Sequence, residues 1–180
     1  MVLYILRHER RNLEKVDFFT PLNHIGKHNA DTKIFEKFND IEIETIYSSP
    51  YKRTLQTVDK ISRVKDISIK LDWALSEKIG PKKAQGLIWP SYEEQSKVHQ
   101  LFSIDDNYSP TADRDYINSY DESIDSFITR VDTFSQYLQT QKDKNILVVS
   151  HQSITDRIIK NLTNEEYQLE MGECYEIDWE

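Results

Sequence analysis

Glycine and cysteine are scarce in this 180-residue chain: there are four glycines, one cysteine and five prolines. With so few glycines no G-x-G-x-x-G exists, and no G-x-x-x-x-G-K. Gly80 and Gly86 have the wrong spacing and no following lysine. The common glycine-rich dinucleotide and Walker-type phosphate cradles are therefore excluded. A lone Cys174 cannot close an internal disulfide or build a Cys-rich zinc site. No apolar run approaches the roughly 20 residues a membrane-spanning helix needs. Positive charge is also in deficit, with 23 Lys and Arg against 31 Asp and Glu, a net charge of −8. Nucleic acid and acidic membrane surfaces are polyanions, so neither is an expected general partner.

What is present is enough for one folded domain. A chain this long buries roughly two-thirds of its unfolded surface, and Ile, Leu, Val and aromatics recur throughout, against wholesale disorder. We expect a single domain over residues 1–180. The start, Met1 to His8, is too briefly apolar for a signal peptide, and the expected setting is the reducing cytoplasm.

The pattern of elements predicts a layered α/β fold. Val2–Leu6 and Ile146–Ser150 are apolar runs of the kind buried on both faces of a sheet. Ile43–Tyr47 reads as a further strand, Ile67, Ile69 and Leu71 as a short one, and Cys174–Trp179 as an edge strand. Pro21–Gly26 reads as a turn, with helical spacing of Ile34, Phe35 and Phe38 after it. Ser48-Ser49-Pro50 resembles a helix start, with serine as cap and proline at the first position. Leu55, Val58 and Ile61 mark the stripe of that helix. The clearest helix carries Ile124, Phe127, Ile128, Val131, Phe134 and Leu138, with Ser119-x-x-Glu122 as a candidate capping box. Ile154, Ile158 and Ile159 mark another from about Ser153 to Leu162. Between Gly80 and Asn118 periodicity is poor, apart from a helix at Tyr92–Phe102. That stretch (about 80–118) is expected to form an excursion covering a pocket. Strands alternating with helices imply a three-layer sandwich with a mainly parallel central sheet flanked by helices.

In such sheets ligands bind beyond the carboxyl ends of the strands. The residues there are Arg7, His8, Glu9, Arg10 and Arg11 after the first strand, Ser48 to Arg53 after the second, and His151-Gln152 after the last central one. Any one segment alone would read as a solvated loop. Together they bring several cations to one rim, where they would repel without an anion between them. Arginine forks match phosphate oxygens, and histidine can act as nucleophile or donor. His24-x-x-x-His28 has metal-ligand spacing, but Gly26 interrupts it, and no metal is expected. His99 is expected to face solvent, and Trp73, Trp89 and Trp179 to pack.

These residues carry a resemblance. Leu6-Arg7-His8 resembles the first-strand signature of the histidine phosphatase superfamily, the phosphoglycerate mutase-like fold. Thr20-Pro21-Leu22-Asn23 with Gly26 and Asn29-Ala30 is similar to its Pro-Leu-Thr-x-x-Gly-x-x-Gln-Ala segment. Ile46-Tyr47-Ser48-Ser49-Pro50 through Arg53, with Leu55-Gln56-Thr57, resembles the segment of its second arginine. Leu75-Ser76-Glu77 resembles its Leu-x-Glu, and Val148-Val149-Ser150-His151 its second-histidine motif. Two positions depart: the family usually has Gly where Glu9 stands, and Gly, Ala or Asp where Gln152 stands. The resemblance implies a phosphohistidine on His8 and Glu77, just after the third short strand, as the acid, with Trp73 and Leu75 as an expected apolar surround and Glu9, Asp105 and Asp106 as rivals for the role. It implies Arg7, Arg11, Arg53 and His151 as phosphate ligands, with no cofactor. Three functions stay open at this point. The first is hydrolysis of a phosphate monoester on a small molecule or a phosphoprotein. The second is mutase-type phosphoryl transfer, for which the chain has little lid material. The third is a non-catalytic phosphate-binding module. Lys82, Lys83, Tyr92 and Arg114 are available in the excursion to line the pocket.

Overall fold

The computed structural model describes residues 1–14, 16–80, 84–117, 119–141 and 144–179. Five strands form one sheet in the order β3-β2-β4-β1-β5. They are β1 (Val2–Arg7), β2 (Thr45–Ser48), β3 (Ile69–Leu71), β4 (Ile146–Ser150) and β5 (Cys174–Asp178). β1, β2, β3 and β4 run parallel, and β5 closes one edge antiparallel to β1.

Register decides which helices cover which face. Ile5, Val148 and Tyr47 lie in one row across β1, β4 and β2. Tyr47 meets Phe134 of helix α5 (Ile124–Gln139) edge-on at 5.6 Å. The neighbouring row is Tyr4, Leu147 and Ile46, and Tyr4 meets Phe38 of helix α2 (Phe35–Asn39) at 5.3 Å. Adjacent residues of a strand point to opposite faces, so α2 and α5 lie on opposite sides. Helix α1 (His24–Asn29), a π-helical turn (Ala30–Ile34), α2 and α3 (Lys52–Lys65) share the first side. There Lys60 Nζ donates to Asp31 O and Lys65 Nζ to Asn39 O. On the other side α6 (Gln152–Thr163) is tied to α5 by the Arg157–Asp132 ion pair and by Asn161 on Ser135. The result is the expected three-layer α/β sandwich, with β1, β2 and β4 buried on both faces.

Three local expectations fail. Pro21–Gly26 is not all turn: α1 begins at His24, with Asn23 as its cap accepting from the Gly26 N–H at 2.8 Å. Gly26 sits inside this helix, and a Cβ there would lie 2.0 Å from Arg10 O. Ser48-Ser49-Pro50 is not the start of α3, which begins at Lys52 after Tyr51 with no side-chain cap. The α5 cap is Ser123, accepting from Ser126 N–H at 3.0 Å, and not the Ser119 box. Glu122 instead forms a buried ion pair with Arg130, Oε1 to Nε at 2.6 Å, and Ile124 is exposed.

The excursion is anchored at the rim of the sheet by Asp72. This buried carboxylate accepts from Tyr108 Oη at 2.8 Å, from Thr111 N–H at 2.7 Å and from Thr111 Oγ1 at 3.1 Å. Helix α4 (Tyr92–His99) begins at a complete capping box of Ser91 and Glu94. Trp89 packs on Tyr120 at 4.8 Å and on Trp73 at 6.3 Å. Lys82 and Lys83 lie outside the described residues.

Gly26→Ala tests the approach of α1 to the Arg10 backbone. Helix propensity alone favours alanine by about 1 kcal/mol. A Cβ forced onto a main-chain oxygen should outweigh that and leave the variant about 1–2 kcal/mol less stable. Urea unfolding midpoints decide it, and a more stable variant would refute the close contact.

Candidate active site

Backbone pairing continues just past the strands and pins the site. His8 N–H donates to Ser150 O at 2.9 Å, Ser49 N–H to Val149 O at 3.1 Å and Asp72 N–H to Ser48 O at 3.1 Å. His151 follows β4 directly and is the extended cap residue of α6. The His8 and His151 rings therefore meet edge-on, with centroids 5.2 Å apart. They are 2% and 1% exposed, and Arg53, in the first turn of α3, is fully buried.

The guanidinium groups are held by carbonyls and by one carboxylate. Arg53 Nη1 donates to Asp17 O at 2.8 Å, and Nη2 contacts the Glu77 carboxylate. Arg7 Nη1 donates to Leu169 O at 2.7 Å. Arg11 is half-buried, its Nη1 donating to Asn12 O at 3.1 Å. Nε of Arg7, Nε of Arg53 and Nδ1 of His151 are buried with no hydrogen-bond partner among the described residues. All six residues expected at the site gather here. Arg53, Arg7 and Arg11 act on His8, and Glu77 acts on Arg11 and stands 3.8 Å from His151 Nδ1.

Burial, reinforced by the Arg53 charge, pushes both imidazoles well below the ordinary histidine range, so both are neutral near pH 7. Burial also lowers Arg11, with Glu77 opposing. Hydrogen bonding assigns the His8 tautomer. His8 Nδ1 lies 2.7 Å from Glu9 O. A carbonyl can only accept, so the proton sits on Nδ1 and the lone pair on Nε2. His151 Nε2 lies 2.9 Å from Ser49 Oγ, which also accepts from Tyr51 N–H at 3.4 Å.

Glu9 is turned away from the cluster. Its Oε2 accepts from Arg10 N–H at 3.0 Å and Asn29 Nδ2 at 3.3 Å. The carboxylate lies against Gly172, where a Cβ would stand 2.2 Å from Oε1. Gly172 also has a φ of +80°, which favours glycine. The surround of Glu77 is not the apolar one expected from Trp73 and Leu75: those side chains are buried in the core, and the carboxylate faces Arg53 and His151.

Other candidates fall elsewhere. His99 is not solvent-facing: Nε2 donates to Pro50 O at 3.1 Å, and the ring lies by Phe18 and Trp73 at 5.9 and 6.4 Å. The outward faces of Phe18 and Trp73 give α4 an aromatic surface to pack on. His24 and His28 are both exposed. Among the described residues no three His, Cys, Asp or Glu form a metal-holding group. Asp105 caps a turn through Asn107 N–H, and Asp106 lines a separate cavity of about 380 Å³ with Tyr92 and His99. Arg114 stacks on the Tyr92 ring at 4.1 Å.

Sequence reasoning missed Ser49 and Tyr51. Tyr51 lies under the Arg53 guanidinium at 4.6 Å and beside His151 at 5.0 Å. The only sequence signal for either was membership of the Ser48–Arg53 segment.

Residues 3–178 match the histidine phosphatase superfamily (branch 1). The chain belongs to that family. No curated protein matches it. Among solved structures it is similar to the ecdysone phosphate phosphatase of Bombix mori in complex with tungstate. The TM-score is 0.72 at 16% identity, over 97% of this chain and 88% of that one. A putative alpha-ribazole-5'-P phosphatase of Escherichia coli K-12 gives 0.71 at 20% identity, over 99% and 90%. A phosphoserine phosphatase of Entamoeba histolytica, in complex with phosphoserine, gives 0.63 at 20%, over 97% and 89%. These likenesses show a shared fold.

The depressed histidines make stability pH-dependent. An unfolded imidazole gains a proton as pH falls through about 6.5, whereas the buried ones resist it. The stability they contribute is complete above that pH and declines below it, by up to about 1.4 kcal/mol per pH unit per histidine. Urea midpoints in phosphate-free buffer should fall between pH 7.5 and 5.5, and less so in His8→Gln. A flat or rising profile would contradict neutral burial.

Proposed function

We propose that this chain is a phosphatase that hydrolyses a phosphate monoester through a phosphohistidine on His8, without a metal. The observation that carries the reading is the 2.7 Å contact of His8 Nδ1 with Glu9 O, which keeps the Nε2 lone pair available on a buried, neutral ring. A nucleophile must be unprotonated to attack, and the surrounding guanidiniums favour that state.

In the first half-reaction His8 Nε2 bonds to phosphorus as the ester P–O bond breaks. The electron pair leaves on the alkoxide oxygen, which takes a proton from Glu77. Water then attacks phosphorus, the N–P bond breaks, and the proton released by water returns to Glu77. Arg7, Arg11, Arg53 and His151 hold the non-bridging oxygens while charge redistributes. Prepositioned donors in a buried site stabilise a phosphoryl transition state in this way. The net charge of −8 opposes polyanionic partners, so the positive potential is confined to this cluster and suits a small phosphorylated substrate in the cytoplasm. No helix among the described residues is long and apolar enough to cross a membrane.

His8→Ala should lower kcat on 4-nitrophenyl phosphate by about 10⁴-fold or more while the far-UV circular dichroism is retained. A brief reaction of the wild type should trap an acid-labile, alkali-stable phosphoenzyme. EDTA should leave the rate unchanged; abolition by EDTA with recovery on adding zinc would sink the mechanism. Glu77→Gln should slow alkyl esters about 10²-fold or more relative to aryl esters, whose leaving groups need no acid. An equal loss on both would dismiss Glu77 as the donor.

A further inference from the structure

The Glu77 carboxylate stands among the groups assigned to phosphate. Its Oε2 contacts Arg53 Nη2 and lies 3.8 Å from His151 Nδ1. It also exerts the largest charge effect on Arg11. A carboxylate offers guanidinium the same acceptor pair that two phosphate oxygens do. Arg53 Nη1 is engaged by Asp17 O and Nε has no hydrogen-bond partner among the described residues, so the Nε–Nη2 edge is the fork a tetrahedral anion would take, and Glu77 holds one of its two arms. Two anions cannot hold the same few ångströms without strong repulsion.

We propose that Glu77 is the resident anion of the phosphate site, displaced by an incoming tetrahedral dianion, and that the displaced carboxyl takes up one proton from solvent. This rests on the phosphatase reading of the same site. It also removes a difficulty in that reading, because a general acid must be protonated and yet Glu77 faces cations in the free protein. Once a dianion sits on Arg53, Arg11 and His151, the cations are engaged and Glu77 faces negative charge instead. A neighbouring like charge favours the neutral carboxyl. The other titratable groups around Glu77 are His151 and His8 beside it, both held low by burial and Arg53, and the phenols of Tyr51, at the start of α3, and Tyr120, ahead of α5. Both phenols are raised by burial, Tyr120 to about 12, and neither exchanges a proton near neutrality. The proton that Glu77 acquires on binding is the one that distinguishes wild type from Glu77→Gln, and it is held by the residue that delivers it to the leaving oxygen.

Sulfate is the probe, because it remains a dianion throughout this pH range and any proton counted belongs to the protein. Titration calorimetry at pH 7, in two buffers of different ionisation enthalpy, gives affinity and protons per sulfate. Wild type should take up about one proton more than Glu77→Gln, and Glu77→Gln should bind sulfate about tenfold tighter or more. Glu77→Asp keeps the charge on a shorter arm and should also bind tighter than wild type. Equal affinity and equal proton number in wild type and Glu77→Gln would overturn the proposal. So would Glu77→Asp matching wild type, since a distant charge effect would then suffice. If the variants do not fold, a crystal of wild type with sulfate decides: the carboxylate must have left Arg53 Nη2, and a retained contact overturns the idea. In each of these failures the phosphatase reading stands if wild type still cleaves 4-nitrophenyl phosphate. Absence of both sulfate binding and cleavage overturns both.

Discussion

Burying two imidazoles and a guanidinium side by side is the constraint that the rest of this structure accommodates. Like charges at such range repel, and desolvation adds to the cost. The protein manages this in three ways. The imidazoles are kept neutral by burial and by Arg53. The guanidinium edges are met by the Asp17 and Leu169 carbonyls and by Glu77. The face of Arg53 is met by the Tyr51 ring. Each device fixes an orientation as well as balancing charge, so the arrangement that makes the cluster tolerable also aims its donors.

The sheet supplies the precision. Hydrogen bonds one residue beyond β1 and β2 hold His8 and Ser49 to the end of β4. The parallel register brings Arg7 opposite Ser150 and Ser48 opposite Val149, so three segments far apart in the chain converge at one rim. Asp72 extends the same principle to the excursion, binding Thr111 and Tyr108 to the end of β3.

The departure at Glu9 is accommodated by Gly172. Two of the four glycines press on the loop after β1: Gly26 against Arg10 O and Gly172 against the Glu9 carboxylate. Where the family usually has the glycine itself, this chain has a larger residue and places glycine opposite. Asn29 and the Arg10 N–H then hold the carboxylate out of the phosphate cluster.

The apolar runs of β1 and β4, the helical stripes of α3 and α6, and the positions of His8, Arg53 and His151 just past strand ends were all legible in the chain, because burial periodicity and strand-end placement are local properties. Helix starts were less so. Ser49 has the chemistry of a cap but bonds His151, 102 residues away, and Glu122 has the chemistry of a capping box but pairs with Arg130. The sequence by itself determined the sheet, its layers and the set of residues at its rim. Only the tertiary structure decided where Glu9 points and which cations hold Glu77. Those outcomes depend on contacts between distant segments, such as Glu9 with Gly172, that no local pattern encodes.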